Sequence, residues 1–585
     1  MTSWLHPALF FFLGSLLLPF FQGKARKIIL LLIPVLAIIA VAAAEQGIYG
    51  QYRFLGIDGV FGRVDKLSLI FAWVFTIMAF LGALYALHRE ESGHHIAGFL
   101  YVGSSLGAIF AGDYFTLFIF WEIMAFSSVF LIWYRRTKKS LDAGFRYLLF
   151  HVFGGLLFFT GMMLTYFKTG SMAFESIAPA NAGLAEYLIL WGFALNAAVL
   201  PLHAWLPDAY PEATVEGAVF LCAFTTKTAV YVLARGFAGF EVLAIMGTAM
   251  TVFGVCYAVI ENDIRRVLAY HIVSQVGYMV AGIGIGTHLA LNGAAAHAFA
   301  HILYKALLFM GAGAVLYMTG TAKLTQLGGL YKTMPLTMIF YIVGAVSIAG
   351  FPLFSGFVSK SMIVASAHQE GRLWLMNLLN LAGIGTFLSV GLKVTYFAFF
   401  GKGEPVTAKE PPKNMLWAMG ITSLMCLVIG VYPDVLYVLL PFASDYRPYN
   451  LHHLSEALQL LSFTGLVFFL LLPKLSPEEK INLDVDYLYR KAVWYFLRFD
   501  EKVIAVFDNL WGELYRTLGL RALFKSADLS YGFDRKAIDG VVDGSAVATV
   551  DLGSTVRRMQ TGRIQTYIAL SMIIVFVVVM LFAVL

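Results

Sequence analysis

Residues 294–315 read AAAHAFAHILYKALLFMGAGAV, apolar enough and long enough to cross a bilayer. Yet the run holds His297, His301 and Lys305, each four residues after the last. On a helix that spacing projects all three from nearly one face, stacked over about two turns. Ionisable groups at membrane depth are costly, and they face a bundle interior or a water-filled path. Their chemistry is proton transfer or ion passage. His297 and His301 also have the i, i+4 spacing of metal ligands. No third ligand or acid lies in the segment, so the expectation is no metal site.

Further charges stand in other apolar runs. Glu122 is in mid-span in FTLFIFWEIMAFSSVFLIW, with Arg146 and His151 of the next span as candidate partners. Arg146 has a second reading, with its head reaching the adjacent loop. In PLHAWLPDAYPEATVEGAVFLCAFTTKTAVYVLAR, Pro201, Pro207 and Pro211 break the helical ladder. Such breaks mark transport sites in membrane proteins. His203 and Asp208 sit beside this break. Glu216 and Lys227, eleven residues on, would share a face three turns apart, although Glu216 also reads as a helix-end charge. His271 reads as a structural histidine. Lys360 follows a stretch weakened by Gly350, Pro352 and Gly356. Lys393 lies closer to a helix end and ranks below it. The candidate relay is therefore Glu122, Lys227, His297, His301, Lys305 and Lys360. Arg146, His203, Asp208, Glu216 and Lys393 are secondary candidates.

The elements that must position these groups follow from composition. The 585 residues are 60% hydrophobic and 13% charged, with mean hydropathy +0.78. Ordinary soluble domains carry about a quarter charged residues. The chain is an all-α polytopic membrane protein by this reading. Its apolar runs predict about sixteen transmembrane helices, the first retained at the N-terminus. Basic residues follow odd-numbered runs: Lys24, Arg26 and Lys27, then Arg135, Arg136, Lys138 and Lys139. Arg265 and Arg266, Lys323 and Lys332, and Lys402, Lys409 and Lys413 come later. That places these loops on the cytoplasmic side of a plasma (inner) membrane and both termini on the other. The net charge of +6 belongs to such loops rather than to nucleic-acid binding. Cys222, Cys256 and Cys426 form no paired-cysteine motif, and there is no Gly-rich phosphate loop or HExxH. No cofactor is expected in this chain. Between 473 and 562 charges rise, and Tyr487, Tyr489, Trp494, Phe496, Phe499, Phe507, Trp511, Leu514 and Tyr515 recur at helical spacing. This predicts a lateral amphipathic helix, a break near Gly532, a second helical piece near 534–547 and a last span.

The motifs resemble a known family. FWEIM around Glu122, PLHAWLPDA at 201–209, TTKTAVYVLAR with Lys227, NDIRRVLAYHIVSQVGYM, HAFAHILYKALLFMGAGAV and GFPLFSGFVSK together are similar to antiporter-like subunits. These occur in respiratory complex I, membrane-bound hydrogenases and Mrp-type cation/proton antiporters. The C-terminal DRKAIDGVVDG and RRMQTGRIQTY also resemble the end of the longest such complex I subunit, where a lateral helix precedes a last span. The resemblance implies two five-helix bundles related as inverted repeats, each with a broken helix. It also implies a horizontal relay of Glu, Lys and His. The family usually has a lysine seven residues before the His of PLHAWLP, and here that position is Asn196. Asparagine cannot exchange a proton near neutral pH. A rewired Glu216–Lys227 pair is one expectation for the replacement.

The organisation expected is N-terminal helices at 1–95, bundles at 96–236 and 237–400, peripheral helices at 401–473, a lateral segment at 474–562 and an anchor at 563–585. The functional expectation is a proton- or sodium/proton-translocating, non-enzymatic subunit of a multi-subunit energy-converting complex. Its partners would be other antiporter-like and small membrane subunits, H⁺ or Na⁺, and lipid. The rival readings are a non-pumping coupling subunit that clamps its neighbours, or a subunit of an ion-driven inorganic-carbon uptake system.

Overall fold

A backbone in hydrocarbon must satisfy its own N–H and C=O groups, and long apolar runs therefore fold as helices. The structure is a computed structural model that describes residues 4–54, 56–401, 408–480 and 482–584. Lys402 lies outside the described residues. Helices α1 (Pro7–Leu17) and α2 (Gly23–Ala42) come first. An antiparallel hairpin follows, β1 (Gly47–Phe54) with β2 (Ile57–Val64), Tyr52 opposite Gly59. The hairpin corrects the all-helical expectation for the N-terminal region. It docks on the turn at 111–113, where Gly112 N donates to Val60 O (3.0 Å) and Val60 N to Asp113 Oδ2 (2.8 Å).

The following helices are α3 (Lys66–Tyr85), α4 (Ser92–Phe110), α5 (Tyr114–Trp133), α6 (Lys138–Thr169) and α7 (Leu184–Asn196). Then come the short α8 (Trp205–Ala209), α9 (Val215–Ala223), α10 (Thr225–Gly236), α11 (Glu241–Ile260), α12 (Ile264–Ile285) and α13 (His288–Thr319). The series continues with α14 (Pro335–Ala349), α15 (Ser355–Gln369) and α16 (Leu373–Thr386), which runs on as π-helical turns to Phe400. It ends with α17 (Lys413–Val431), α18 (Asp434–Tyr437) and α19 (Leu451–Leu470). Twelve helices among the described residues are long and apolar enough to cross a membrane, with three shorter apolar helices beside them. Helices α12 and α13 and the α9–α10 segment are the most enclosed and form the centre of the core.

The chain repeats its own local design. Helices α6 and α13 are each 32 residues long and start at Lys138 and His288. Both stop at a left-handed glycine, Gly170 and Gly320. Asp113 caps α5 and bridges to Ala173; Asp263 caps α12 and bridges to Lys323. Every one of these pairs is separated by the same 150 positions.

Residues 486–585 form a second unit. Helices α20 (Asp486–Phe499), α21 (Ala505–Leu514), α22 (Ala522–Phe533) and α23 (Asp539–Met559) are joined by π-helical turns at 500–504, 515–521 and 534–538. The helix is therefore continuous through Gly532, and the expected break there is replaced by a π-turn just after it. Left-handed Gly562 ends the run before α24 (Ile564–Val584).

Candidate functional site

The line begins on α13. Thr287 accepts from Ala290 N to start the helix, and a run of Ala and Leu without Pro carries it on. His297, His301 and Lys305 are fully buried on it. His297 Nδ1 lies 2.9 Å from Ser359 Oγ on α15, and its Nε2 lies 3.4 Å from the Tyr304 hydroxyl. The two nitrogens of His301 and the Lys305 ammonium find no hydrogen-bond partner among the described residues. Lys227, Lys305 and Lys360 all lie within electrostatic reach of His301. The structure thus brings together five of the six expected relay positions, all but Glu122.

Three other lysines share one device. A helix leaves its last carbonyls unpaired, and these carry partial negative charge. Lys227 Nζ donates to Cys222 O (2.6 Å) at the end of α9 and to Thr226 Oγ1 (2.9 Å). Lys360 Nζ donates to Ile348 O (2.6 Å) at the end of α14 and stands over the Tyr278 ring (5.1 Å). Lys393 Nζ donates to Val259 O (2.6 Å) and Glu261 O (3.1 Å) at the end of α11. Lys393 is therefore a buried ligand of a helix end rather than a head reaching out of the bundle. It stands in the π-helical part of the α16 run, a geometry frequent at functional sites. Lys360 also lines a cavity of about 850 Å³ together with His368, Asn380, His453 and Glu456.

The Glu122 side differs from expectation. Arg146 binds Asp208 through Nε (2.7 Å) and Nη2 (3.0 Å), joining α6 to α8, and is not the partner of Glu122. Glu122 makes no ion pair among the described residues, and its Oε1 is buried without a partner. The carboxylate packs on α6 at Gly155, where a Cβ would overlap Oε1. His151 Nδ1 meets Asn196 Oδ1 at 2.8 Å.

The rewired pair fails as well. Helix α9 ends and α10 begins at Phe224, so Glu216 and Lys227 do not share a continuous helical face. Glu216 instead holds Arg89 (Nη1, 3.0 Å) and His88 (Nε2, 3.0 Å) from the turn before α4. Its carboxylate is thus paired with α3–α4 turn residues and not with Lys227. His271 Nε2 meets Ser389 Oγ at 2.6 Å, while its Nδ1 is buried with no hydrogen-bond partner among the described residues.

One site group escapes sequence reading. His203, at the break before α8, faces both carboxylate oxygens of Asp484 (3.2 and 3.3 Å). Tyr270 of α12 donates to Asp484 Oδ2 (2.7 Å), and Tyr257 of α11 donates to Leu483 O (2.8 Å). Burial pushes the Asp484 carboxyl up, but the hydrogen bond and charge of His203, with the Tyr270 hydroxyl, hold it below the usual carboxylate range. No signal in the sequence marks Asp484, which stands in a charged linker.

The buried row thus combines the continuous α13 with lysines seated at the breaks α9–α10 and α14–α15. The family described as NADH:quinone oxidoreductase/Mrp antiporter, transmembrane, matches residues 111–388. A Na⁺/H⁺ antiporter subunit of Alkalihalophilus pseudofirmus is 31% identical over 383 residues, 62% of this chain and 77% of that one. The chain belongs to this antiporter family. Another, longer subunit of the same organism's Na⁺/H⁺ antiporter is 30% identical over 73% of this chain, which spans 60% of that protein. The Mrp complex of Dietzia sp. DQ12-45-1b contains a chain of similar fold, TM-score 0.74 at 24% identity, over 89% of this chain and 62% of that one. An archaeal membrane-bound sulfane sulfur reductase contains another, TM-score 0.66 at 25% identity, over 78% and 96%. The antiporter family's multi-pass membrane architecture thus holds for this chain.

Proposed function

We propose that this chain translocates protons, or exchanges sodium for protons, as one non-enzymatic subunit of a multi-subunit energy-converting membrane complex. The observation that carries this is the buried row Lys227–Lys305–His301–His297–Lys360, whose last member lines the cavity beside α19. Each seated lysine can leave its helix-end carbonyl when a neighbour changes charge, because the coupling between buried charges is strong. Glu122 is the acid of the other half. No cofactor takes part. The broken pairs α7–α8, α9–α10 and α14–α15 count as single crossings, which makes about sixteen crossings. The basic loops then lie on one side and both ends on the other.

The test uses the assembled complex in liposomes. Lys305→Ala and Lys360→Ala should each cut ion-driven proton movement by about tenfold or more, the size expected for loss of a proton-transfer group. Unchanged movement in both variants overturns the reading.

A coupling role has its own observation: Asn196 stands where the resemblance leads one to expect a lysine. On that reading the relay variants transport as well as wild type, and removal of residues 486–585 disassembles the complex.

A further inference from the structure

The 150-residue recurrence sets two helices in one register. His301 on α13 corresponds to His151 on α6, His297 to Tyr147, and Lys305 to Gly155. Position 155 has no side chain, and the Glu122 carboxylate of α5 fills that space. A carboxylate in the first half therefore stands where, in the second, the Lys305 side chain leaves its helix. His151 lies one turn away on the same face.

The surroundings of His151 define its protonation. The ring is fully buried between Tyr147 (4.1 Å between centroids) and Trp205 of α8 (4.6 Å). Nδ1 faces the carboxamide oxygen of Asn196 at 2.8 Å. That oxygen only accepts, so Nδ1 carries the hydrogen and Nε2 keeps its lone pair. Nε2 is buried with no partner, as is Glu122 Oε1. Trp205 is itself fixed, its Nε1 donating to Leu195 O at 3.1 Å. The other ionisable groups nearby are Tyr147, bonded to Ser128 (2.8 Å), and the Arg146–Asp208 pair.

We infer that His151 is the proton carrier of the first half, taking up a proton at Nε2 and exchanging it with Glu122, while Asn196 holds the tautomer. The proton leaves the Glu122 carboxyl and forms the Nε2–H bond of an imidazolium, which then releases it onward to water and regains the neutral ring, while the carboxylate takes up a new proton. Asn196 is thus a positioning residue rather than a gap in the line. The inference rests on the proposed translocation, and it assigns a group to this step that the row around His301 does not contain.

The test reads proton movement by a pH-sensitive dye in liposomes holding the full complex, driven by an imposed sodium gradient, with assembly checked on native gels. His151→Gln should lower the rate about tenfold or more. Asn196→Leu, which keeps the imidazole but removes its acceptor, should lower it several-fold. The double variant His151→Gln, Asn196→Lys returns a titratable group to the same space and should recover at least half of the lost rate. A purely structural histidine would not be rescued that way. If Lys305→Ala abolishes movement while His151→Gln and Asn196→Leu keep the wild-type rate, the inference is overturned and the translocation reading stands. If His151→Gln does not assemble, Asn196→Leu decides: a wild-type rate overturns the inference. If the Lys305 and Lys360 variants transport normally as well, the translocation reading falls first.

Discussion

At the scale of single residues, the useful division is between buried charges with partners and those without. Glu216 is saturated by Arg89 and His88, and its side chain is only 4% exposed. Removing one member of a buried pair costs about 3–5 kcal/mol, because the other charge is left uncompensated. Glu216→Gln should therefore lower the thermal stability of the purified complex sharply while the surviving folded fraction still transports. A transport defect at unchanged stability would instead restore Glu216 to the relay. The lysines and histidines of the proposed relay are readable in the sequence because each interrupts an apolar run, and only function or strict pairing tolerates that. Pairings are not readable in the same way. Glu216 finds partners 127 residues earlier in the chain and Asp484 finds His203 281 residues away. No local spacing encodes such distances. Gly155 is a further example: a glycine in a membrane helix is unremarkable until a carboxylate is found in its place.

At the scale of elements, the helix breaks do the positioning. The break before α8 is announced by Pro201 and Pro207 and the one before α15 by Gly350 and Pro352. The break at Phe224 has no such residue, and it is the one that exposes Cys222 O to Lys227. The hairpin 47–64 is equally hard to read, since its glycines interrupt the apolar alternation that marks a strand. The linker after α19 is a third positioning element. It is pinned by Lys323–Glu479 (3.0 Å), Tyr257–Leu483 and the Asp484 cluster. Because the native Asp484 carboxyl titrates below its ordinary value, its contribution is present in full above about pH 3.9. It is lost as the pH falls through the lower native value. Limited proteolysis of residues 472–485 in the solubilised complex should therefore accelerate only in strong acid for wild type. Asp484→Asn should be cleaved faster at neutral pH and show little further change on acidification. Equal cleavage of the two proteins at neutral pH would show that Asp484 does not hold the linker.

At the scale of the whole molecule, the chain divides after Val485 into a unit with a large buried core and a unit made of one long helix and a terminal apolar helix. Truncation after Val485 keeps Asp484 and every residue of the proposed relay. The truncated chain should retain a cooperative thermal transition close to that of the full chain, while the complex loses neighbouring subunits on native gels. Retention of all subunits would mean that residues 486–585 do not serve assembly. The π-turns of that long helix also carry a genetic consequence. A π-turn is an α-turn holding one surplus residue, with the phase of both flanks preserved. Loss of one codon inside 534–538, such as that of Ala537, lets the turn close as ordinary α-helix and leaves α22 and α23 facing as before. Loss of the codon for Ala546 within α23 swings every later side chain by about 100°. Growth under conditions that demand the complex should separate the two deletions, the first silent and the second not. The long helix thus has built-in places where its length can change without its face changing.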